Sequence, residues 1–372
     1  MEKKKILVAM SGGVDSSVTA ALLKDEGHEV GGATIRTWLP EGCVSKERKA
    51  CCGVSGLKDA RGVADLLGIR HWVFNFEKEF KAYVIDSFAS EYLRGRTPNP
   101  CILCNAHIKF RLFLDRARQL GFDFIATGHY AQIGYEPLRE SYYILEGMDS
   151  LKDQSYVLFP LDQDVLRSLI LPLGCYRKSE VRAKARQWNL AVMDKSDSQE
   201  ICFVPDHDYG SFLEREYLRK ELGMQNTVDE PRGVITTKDG KILGRHGGYF
   251  HYTRGQRRGL GVPYRERLYV IGTDPKKNEV IVGTRPDVMS QSCIVGNVQW
   301  FLRPEPHERL RIHVKIRSQH KKALAQVALV DANSVHVIFD DPQEAITPGQ
   351  AAVFYEGSRV LGGGWIDQYN AP

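Results

Sequence analysis

Short apolar runs alternate with amphipathic segments over the first part of the chain, up to about Pro205. The runs KKILVAM, EVGGATIRTWL, HWVFNF and FDFIATGHY have the length and apolar content of buried strands. Between and after them, SSVTAALLKDEG, LKDARGVADLLG and RKSEVRAKARQWNL have helical periodicity, and the first two end at a glycine. Strands that alternate with helices are typical of a parallel sheet covered by helices. The pattern therefore predicts an α/β fold for this part of the chain.

The sequence after about Pro205 has a different character, with more glycine and short alternating runs such as GYFHYT, RLYVIGT and EVIVGT. From about Ser292 onward the runs are typical of a β-barrel or sandwich. A chain of 372 residues is also long for one domain. We therefore predict three domains: an α/β domain over residues 1–205, a small β-rich domain over 206–285 and a β-barrel over 286–372.

The composition is that of an ordinary globular protein, with 42% apolar and 26% charged residues. The net charge of +5 permits a polyanionic partner without requiring one. The apolar run near the N-terminus, Ile6 to Met10, is too short for a signal peptide, and no run approaches the ~18 residues of a membrane span. We therefore expect no membrane contact and a cytoplasmic location, where the eight cysteines stay reduced.

The stretch AMSGGVDSS, residues 9–17, lies where the first predicted strand gives way to a helix. Gly12 and Gly13 permit a tight turn, and the amides at a helix N-terminus bind anions. Asp15 fits such an anion site if it holds Mg²⁺. A plain glycine-rich turn capped by serine is the alternative. A Walker loop is excluded because no G-x-x-x-x-G-K followed by Ser or Thr is present.

The stretch TPNPCILCN, residues 97–105, sets Cys101 and Cys104 three apart after a proline-stiffened turn, and Cys202 lies in DSQEICFVP. Zinc ligands, a redox pair and nucleophiles are all open for such cysteines, and a lone cysteine such as Cys202 also fits a small buried side chain. A redox pair is disfavoured because the two cysteines are not expected to open a helix as in thioredoxin. A closed zinc site needs about two more ligands, for which the chain offers cysteines at unusual spacing: Cys43, Cys51 and Cys52.

The motif SGGVDSS resembles the pyrophosphate loop of the PP-loop ATPases, which include asparagine synthetase, GMP synthetase, argininosuccinate synthetase and the tRNA-thiolating enzymes. The resemblance implies that ATP is cleaved between its α and β phosphates, that a substrate oxygen is adenylated, and that a nucleophile then displaces AMP. TGHY, residues 127–130, fits the nucleotide and substrate rim of these folds. Sulfur is the nucleophile that this chain offers. A PP-loop ligase or amidotransferase acting on a small molecule is the alternative.

Seven motifs then resemble those of the tRNA-specific 2-thiouridylase family over nearly the whole chain: AMSGGVDSSVTAALL, GRTPNPCILCNAHIKF, ATGHYA, DQSYVLF, DSQEICFV, YTRGQRRGLGV and TPGQAAVFYEG. The resemblance implies a PP-loop domain of the adenine nucleotide alpha-hydrolase-like fold, a small β-rich central domain and a C-terminal β-barrel that contacts tRNA. It also implies ATP-dependent 2-thiolation of the wobble uridine in tRNAs of the lysine, glutamate and glutamine types, with AMP and pyrophosphate as products.

The resemblance implies roles for single residues. The nucleophilic cysteine of the family corresponds to Cys104, and the persulfide carrier, which forms a transient disulfide with it, corresponds to Cys202. ATP contacts are implied for Ala9, Met10, Ser11, Gly12, Gly13, Val14, Asp15, Ser16, Ile35 and Gly128. Contacts with the target base and its tRNA are implied for Asn99, Pro100, Cys101, His129, Lys152, Asp153, Gln154, Arg317, Ser318 and Gln350.

Two departures from the family pattern stand out. Many members carry Asp at the position of Cys101, which leaves the role of this cysteine open, and Ile35–Arg36 replaces a more usual Met-Lys. The implied partners and cofactors are tRNA, ATP with Mg²⁺ on Asp15, and a persulfide donor that is either a cysteine desulfurase or a relay protein. An iron–sulfur cluster on the three cysteines of the two motifs, Cys101, Cys104 and Cys202, is the less favoured alternative.

Basic residues alternate with apolar ones in RLRIHVKIRSQHKK, residues 309–322. A strand would bury the apolar set and present a basic face, formed by Arg309, Arg311, His313, Lys315 and Arg317. A solvated outer face is the simpler interpretation, and a tRNA-type site elsewhere in the chain favours RNA contact. The stretch Tyr249–Gly261 combines aromatic residues with Arg254, Arg257 and Arg258, which suits contact with an RNA backbone or base.

Overall fold

A computed structural model describes residues 2–38, 54–196, 201–204, 208–218, 233–305 and 310–369. The chain forms two units. The first unit contains Met1–Ile85, Pro100–Val204 and Glu356–Leu361, and the second contains Asp86–Asn99, Pro205–Tyr355 and Gly362–Pro372. Cys43, Cys51, Cys52 and Arg309 lie outside the described residues. The three-domain boundaries near residues 205 and 285 stay predictions.

The first unit is built on seven described strands: β1 (Lys5–Ala9), β2 (Glu29–Arg36), β3 (His71–Asn75), β4 (Phe124–Ala126), β5 (Ala131–Glu136), β6 (Ser141–Glu146) and β7 (Leu169–Ile170). Five of them form a parallel sheet in the order β3-β2-β1-β4-β7. The other two, β5 and β6, form an antiparallel hairpin. The α/β prediction is therefore confirmed.

The described α-helices are α1 (Val14–Asp25), α2 (Val54–Leu67), α3 (Glu77–Phe80), α4 (Asp86–Leu93), α5 (Pro100–Leu103), α6 (Phe113–Gln119), α7 (Gln163–Arg167), α8 (Lys178–Gln187), α9 (Tyr209–Leu213) and α10 (Arg285–Val288). Three π-helical segments adjoin them, at Lys81–Ile85, Cys104–Leu112 and Glu214–Leu218. Among these described helices, none combines the length and the apolar character that crossing a membrane requires. In the first unit, β1 and the helices α1, α2 and α8 share one apolar core.

The stretch that contains Cys101 and Cys104 is helical, which the sequence patterns did not predict. Pro100 begins α5, and the helix continues through the π-helical segment into α6. A proline is compatible with the first helical position because the N–H that it lacks would have no partner there. The argument that these cysteines do not open a helix is therefore wrong.

The last strand of the chain contributes residues to both units. Glu356–Leu361 belongs to the first unit. There, Arg359 pairs with Leu145 of β6, and Ser358 accepts a hydrogen bond from the Glu146 amide at 2.9 Å. A segment near the C-terminus therefore supplies the neighbour of β6 in the first unit.

The second unit is rich in strands: β8 (Gly233–Thr237), β9 (Ile242–His246), β10 (Tyr269–Asp274), β11 (Glu279–Gly283), β12 (Met289–Trp300), β13 (Leu310–Lys315), β14 (Ala323–Leu329), β15 (Val335–Glu344), β16 (Ala351–Glu356) and β17 (Arg359–Tyr369). Four strands form a small sheet in the order β10-β11-β8-β9. The last six follow the order β12-β15-β14-β13-β16-β17, and β12 also pairs with β17. Because the first and last strands pair, the sheet closes into the predicted β-barrel.

Side chains alternate on β13 as its sequence predicts. Ile312 and Val314 are buried, whereas Arg311 and His313 are exposed. The Arg311 guanidinium donates to Asp340 Oδ2 at 2.7 Å, so an acidic side chain offsets part of the positive charge on this face. The alternation is confirmed for the described residues, and contact of this face with tRNA stays a prediction.

Candidate active site

A pocket of about 420 Å³ lies at the carboxyl ends of β1, β2 and β4 in the first unit. This end of a parallel sheet is where α/β folds bind ligands, and the volume suits a small molecule. Most residues predicted for the site in this unit line it: Ala9, Met10, Ser11, Gly13, Val14, Asp15, Ser16, Ile35, Pro100, Cys101, Cys104, Gly128, His129, Lys152, Gln154 and Cys202.

The phosphate loop, defined here as Ser11–Ser16, is shaped by close backbone approaches. Gly12 has φ +71°, and a Cβ there would collide with the backbone of Gly56 on α2. A Cβ on Gly128 would lie 2.8 Å from the backbone carbon of Asp15. Only glycine leaves room for these approaches, so the loop that follows β4 packs directly on the start of α1. The N-terminus of α1, with its partial positive charge, thereby faces the pocket.

Asp15 lines the pocket, and two other side chains donate hydrogen bonds to its carboxylate. Lys178 Nζ donates to its Oδ1 at 2.7 Å and to its Oδ2 at 2.8 Å. The Tyr130 hydroxyl donates to Oδ1 at 2.7 Å. Sequence reasoning missed Lys178, since a lysine at the start of a helix carries no signal that distinguishes it from a solvated one.

The fit of this site to Mg²⁺ rests on Asp15. Among the described residues, no group of three or more His, Cys, Asp or Glu side chains is placed to hold a metal ion. Mg²⁺ that arrives with a nucleotide uses one or two protein carboxylates, and phosphate and water supply its other ligands. The single carboxylate of Asp15 at the mouth of the phosphate loop fits this requirement once Lys178 releases one of the two carboxylate oxygens that it binds.

Lys195 connects the phosphate loop with the segment that leads to Cys202. Its Nζ donates to the carbonyl oxygen of Gly12 at 2.9 Å and to Asp59 Oδ2 at 2.7 Å. Arg182 on α8 donates to the Lys195 carbonyl oxygen at 3.3 Å. These contacts fix the backbone on one side of the pocket, and sequence reasoning missed them too.

His129 is buried in the pocket wall as a neutral group. Its Nδ1 lies 2.8 Å from Thr127 Oγ1, and its ring lies against Phe110. Burial, together with the positive charge of Lys109, lowers the pKa of His129 to about 3. The imidazole is therefore uncharged at neutral pH, where it can exchange hydrogen bonds with a neutral base.

The three side chains of the predicted KDQ motif, Lys152–Gln154, make different contacts. Lys152 and Gln154 line the pocket. Gln154 Oε1 accepts from the Tyr130 amide at 3.0 Å. Asp153 holds the turn, since its Oδ1 accepts from the amides of Gly147 at 3.0 Å and Ser155 at 3.1 Å. These bonds hold the turn in place, and contact of Asp153 with the target base or its tRNA stays a prediction.

The three predicted cysteines share the pocket with different exposure. Cys104 is 7% exposed, Cys101 is exposed and Cys202 is half-buried. Cys101 and Cys104 lie three residues apart on one continuous helix, close to its start at Pro100.

The other predicted tRNA contacts lie in the second unit. Gln350 Nε2 donates to the Thr97 carbonyl oxygen at 3.0 Å. Arg317 and Ser318 are exposed, and Arg317 donates to the Glu344 carbonyl oxygen at 3.3 Å. Asn99 is half-buried. Their contact with tRNA stays a prediction.

The interpretation of the stretch Tyr249–Gly261 as an RNA contact is wrong for Arg254. It is buried, its guanidinium carbon lies 3.8 Å from the centroid of the Tyr369 ring, and it donates to the Tyr369 hydroxyl at 2.9 Å. It also donates to the carbonyl oxygen of Ile271. This arginine holds the second unit together. Arg257 and Arg258 are exposed, and their contact with RNA stays a prediction.

Comparison with known families matches three domain models along the chain. The tRNA methyl transferase HUP domain matches residues 4–206, the tRNA methyl transferase PRC-barrel domain residues 222–284 and the aminomethyltransferase beta-barrel domain residues 290–366. A solved structure, the U34-tRNA thiolase NcsA from Methanococcus maripaludis with its 4Fe-4S cluster, aligns with a TM-score of 0.33 at 20% identity. It covers 58% of this chain and 66% of that one, and a likeness this low carries no argument.

Curated relatives match over the full length. The tRNA-specific 2-thiouridylase MnmA of Carboxydothermus hydrogenoformans is 47% identical over 98% of both chains. That of Solibacter usitatus is 48% identical over 99% of this chain and 100% of its own. Because the match includes both β-rich regions, the alternative of a small-molecule ligase is not favoured. The chain belongs to the tRNA-specific 2-thiouridylase family.

Proposed function

We propose that this chain replaces the C2 oxygen of the wobble uridine with sulfur in tRNAs of the lysine, glutamate and glutamine types. One observation carries the proposal: the phosphate loop, Cys104 and Cys202 line a single pocket although they lie far apart in the sequence. Adenylation and sulfur chemistry would thus take place on one bound base. The reductants that this chemistry needs are those of the cytoplasm, which stays the proposed compartment.

Adenylation is the first step. The phosphate loop and the N-terminus of α1 hold the triphosphate of ATP. The C2 oxygen of the uridine attacks the α phosphate, and pyrophosphate leaves. Asp15 would hold a Mg²⁺ ion that offsets the charge of the phosphates. Ile35, at the end of β2, lines the same pocket and offers an apolar wall to the adenine.

The base has to leave its stack to enter this pocket, which costs little in a single-stranded anticodon loop. His129 and Gln154 are placed to receive it. The neutral imidazole and the amide group can each donate and accept hydrogen bonds, which suits the edge of a uracil. The exposed side chains Arg257, Arg258 and Arg317 are proposed to bind the tRNA backbone.

Sulfur transfer follows. A donor protein, a cysteine desulfurase or a relay protein, passes sulfur to Cys202 as a persulfide. The Cys104 thiolate attacks the Sγ of Cys202, hydrosulfide leaves, and a Cys104–Cys202 disulfide forms. Hydrosulfide then adds to C2 of the adenylated uridine and AMP departs. A thiol reductant restores both cysteines with two electrons.

The iron–sulfur alternative is not used in this scheme. Although Cys101, Cys104 and Cys202 line one pocket, they do not form a group of three placed to hold a metal. We expect Cys101→Asp, purified without oxygen, to keep substantial thiolation activity. Near-complete loss of activity together with loss of bound iron would replace the persulfide scheme with the cluster.

The test of the proposed function is pyrophosphate release from ATP by the purified chain. We expect release that depends on unmodified tRNA, and 2-thiouridine in the digested tRNA once a persulfide donor is added. The matched control is a tRNA with cytidine at the wobble position. Release that is the same with and without tRNA would refute the proposal.

A further inference from the structure

The pairing of Asp15 with Lys178 raises a question that the proposed function leaves open. A carboxylate in a phosphate loop repels the polyanion that the loop binds. Both oxygens of Asp15 nevertheless have partners, and the ammonium of Lys178 donates to both of them, at 2.7 and 2.8 Å. The loop therefore presents to a ligand a carboxylate whose charge another group offsets.

Lys178 is placed to pair with Asp15. It is only 9% exposed, and lysine is rarely buried unless it is paired. The pocket lining includes Asp15, whereas Lys178 is not part of it, so the ammonium lies behind the carboxylate. Its backbone amide donates to Asp149 Oδ2 at 2.9 Å, which anchors the start of α8.

The Tyr130 hydroxyl fixes the geometry of the pair. It donates to Asp15 Oδ1 at 2.7 Å, and the Lys178 ammonium lies 5.8 Å from the centroid of its ring. Tyr130 follows Gly128 and His129 in the wall of the same pocket. The Asp15 carboxylate thus accepts hydrogen bonds both from a side chain on α8 and from a side chain on the loop after β4.

We propose that Lys178 is a positioning residue that neutralises and orients Asp15, and so lets the phosphate loop accept nucleotide. The proposal rests on the proposed function only in taking ATP as the ligand. When Lys178 is removed, the half-buried carboxylate of Asp15 loses the cation beside it and repels phosphate. A divalent cation or the loss of the Asp15 charge then restores binding.

The experiment is a double-mutant cycle on ATP affinity, measured by titration calorimetry with EDTA and again with Mg²⁺. We expect Lys178→Met to weaken Mg²⁺-free binding by ~10-fold or more, as for the loss of one partner of a hydrogen-bonded charge pair. Asp15→Asn combined with Lys178→Met should return Mg²⁺-free affinity to within about twofold of the wild-type value. Lys178→Arg should retain most of the affinity, since it keeps the charge.

Lys184→Met is the matched control, because this lysine lies on the same helix with its ammonium over the Tyr176 and Trp188 rings. It should leave ATP affinity unchanged. Wild-type affinity in Lys178→Met would overturn the proposal. So would a double variant as weak as Lys178→Met, since the loss would then be structural. The cycle needs no tRNA. If the variants show the expected ATP affinities but the chain shows no tRNA-dependent pyrophosphate release, only the proposed function is refuted.

Discussion

The pocket of the first unit and the basic face of β13 in the second unit use charge in opposite ways. In the pocket, Asp15 is held at fixed distances by Lys178 and Tyr130, and each group depends on the others. On β13, Arg311 and His313 project outward, and Asp340 of β15 reaches Arg311 across β14. Buried pairs act as units, whereas exposed charges act nearly independently. Substitutions in the pocket should therefore abolish steps, and those on β13 should change affinity by degrees.

The strongest test of this contrast is the cysteine pair. Cys104→Ser and Cys202→Ser should each lower thiolation by at least ~1000-fold, because a hydroxyl cannot carry or attack persulfide sulfur. Both variants should still release pyrophosphate in the presence of tRNA, since the phosphate loop is unchanged. Cys175→Ser, on an exposed cysteine of the same unit, is the control for thiol loss. Thiolation by either of the first two variants at the rate of this control would break the assignment.

Asp15→Ala comes next. It should reduce Mg²⁺-dependent adenylation by ~100-fold, as for the loss of a group that stabilises the transferring phosphate. Its tRNA affinity should stay near the wild-type value, because phosphate contacts elsewhere dominate it. Thermal melting checks that the buried Lys178 does not unfold the variant. Unchanged ATP consumption would refute the phosphate-loop assignment.

Substitutions on the basic face should have a smaller effect, which concerns tRNA binding. Replacing Arg311, Lys315 and Arg317 with Ala should weaken tRNA binding by ~10-fold and flatten the log–log salt slope by ~1–2, given ~0.7–0.9 per phosphate contact. The decrease should fall short of three contacts because Asp340 already engages Arg311. Asp340→Asn sharpens the test, since it should strengthen binding at low salt. An identical slope in the triple variant would identify the face as merely solvated.

The last test concerns the stability of the fold, rather than activity or binding, and depends on His129. Its pKa is lowered to about 3, below the value of about 6.5 of an unfolded chain. Between these values the unfolded chain binds a proton that the folded chain does not. Stability is therefore present above pH 6.5 and falls by up to ~1.4 kcal/mol per pH unit as the pH decreases toward 3. The melting temperature of His129→Asn should decrease less between pH 7 and pH 5 than that of the wild type. His313→Asn, on the exposed face of β13, should follow the wild type.

The sequence predicted what local patterns encode. Strands and helices followed from apolar periodicity, and the phosphate loop followed from its glycines and its place after β1. Cys104 and Cys202 were assigned by resemblance, and the structure adds that they line one pocket. Resemblance had no means of predicting Lys178, whose partner lies 163 positions away. Such pairs depend on tertiary packing that no local pattern records.

Arg254 and Arg257 show the same limit on a smaller scale. They lie three positions apart in one motif, and the sequence assigns both to RNA contact. The structure buries Arg254 against Tyr369 and leaves Arg257 exposed. The difference comes from Tyr369, near the far end of the chain. Charge and aromatic content alone therefore identify a basic stretch without telling which of its arginines are available.

The strand neighbour that Glu356–Leu361 provides for β6 has a consequence for synthesis on the ribosome. A nascent chain that ends before this segment has made every other described strand of the first unit, yet the outer edge of β6 has no neighbour. Open strand edges invite pairing with other chains. Completion of the first unit thus waits until residues 356–361 have been synthesised, and chaperones that shield strand edges would act on this protein until then.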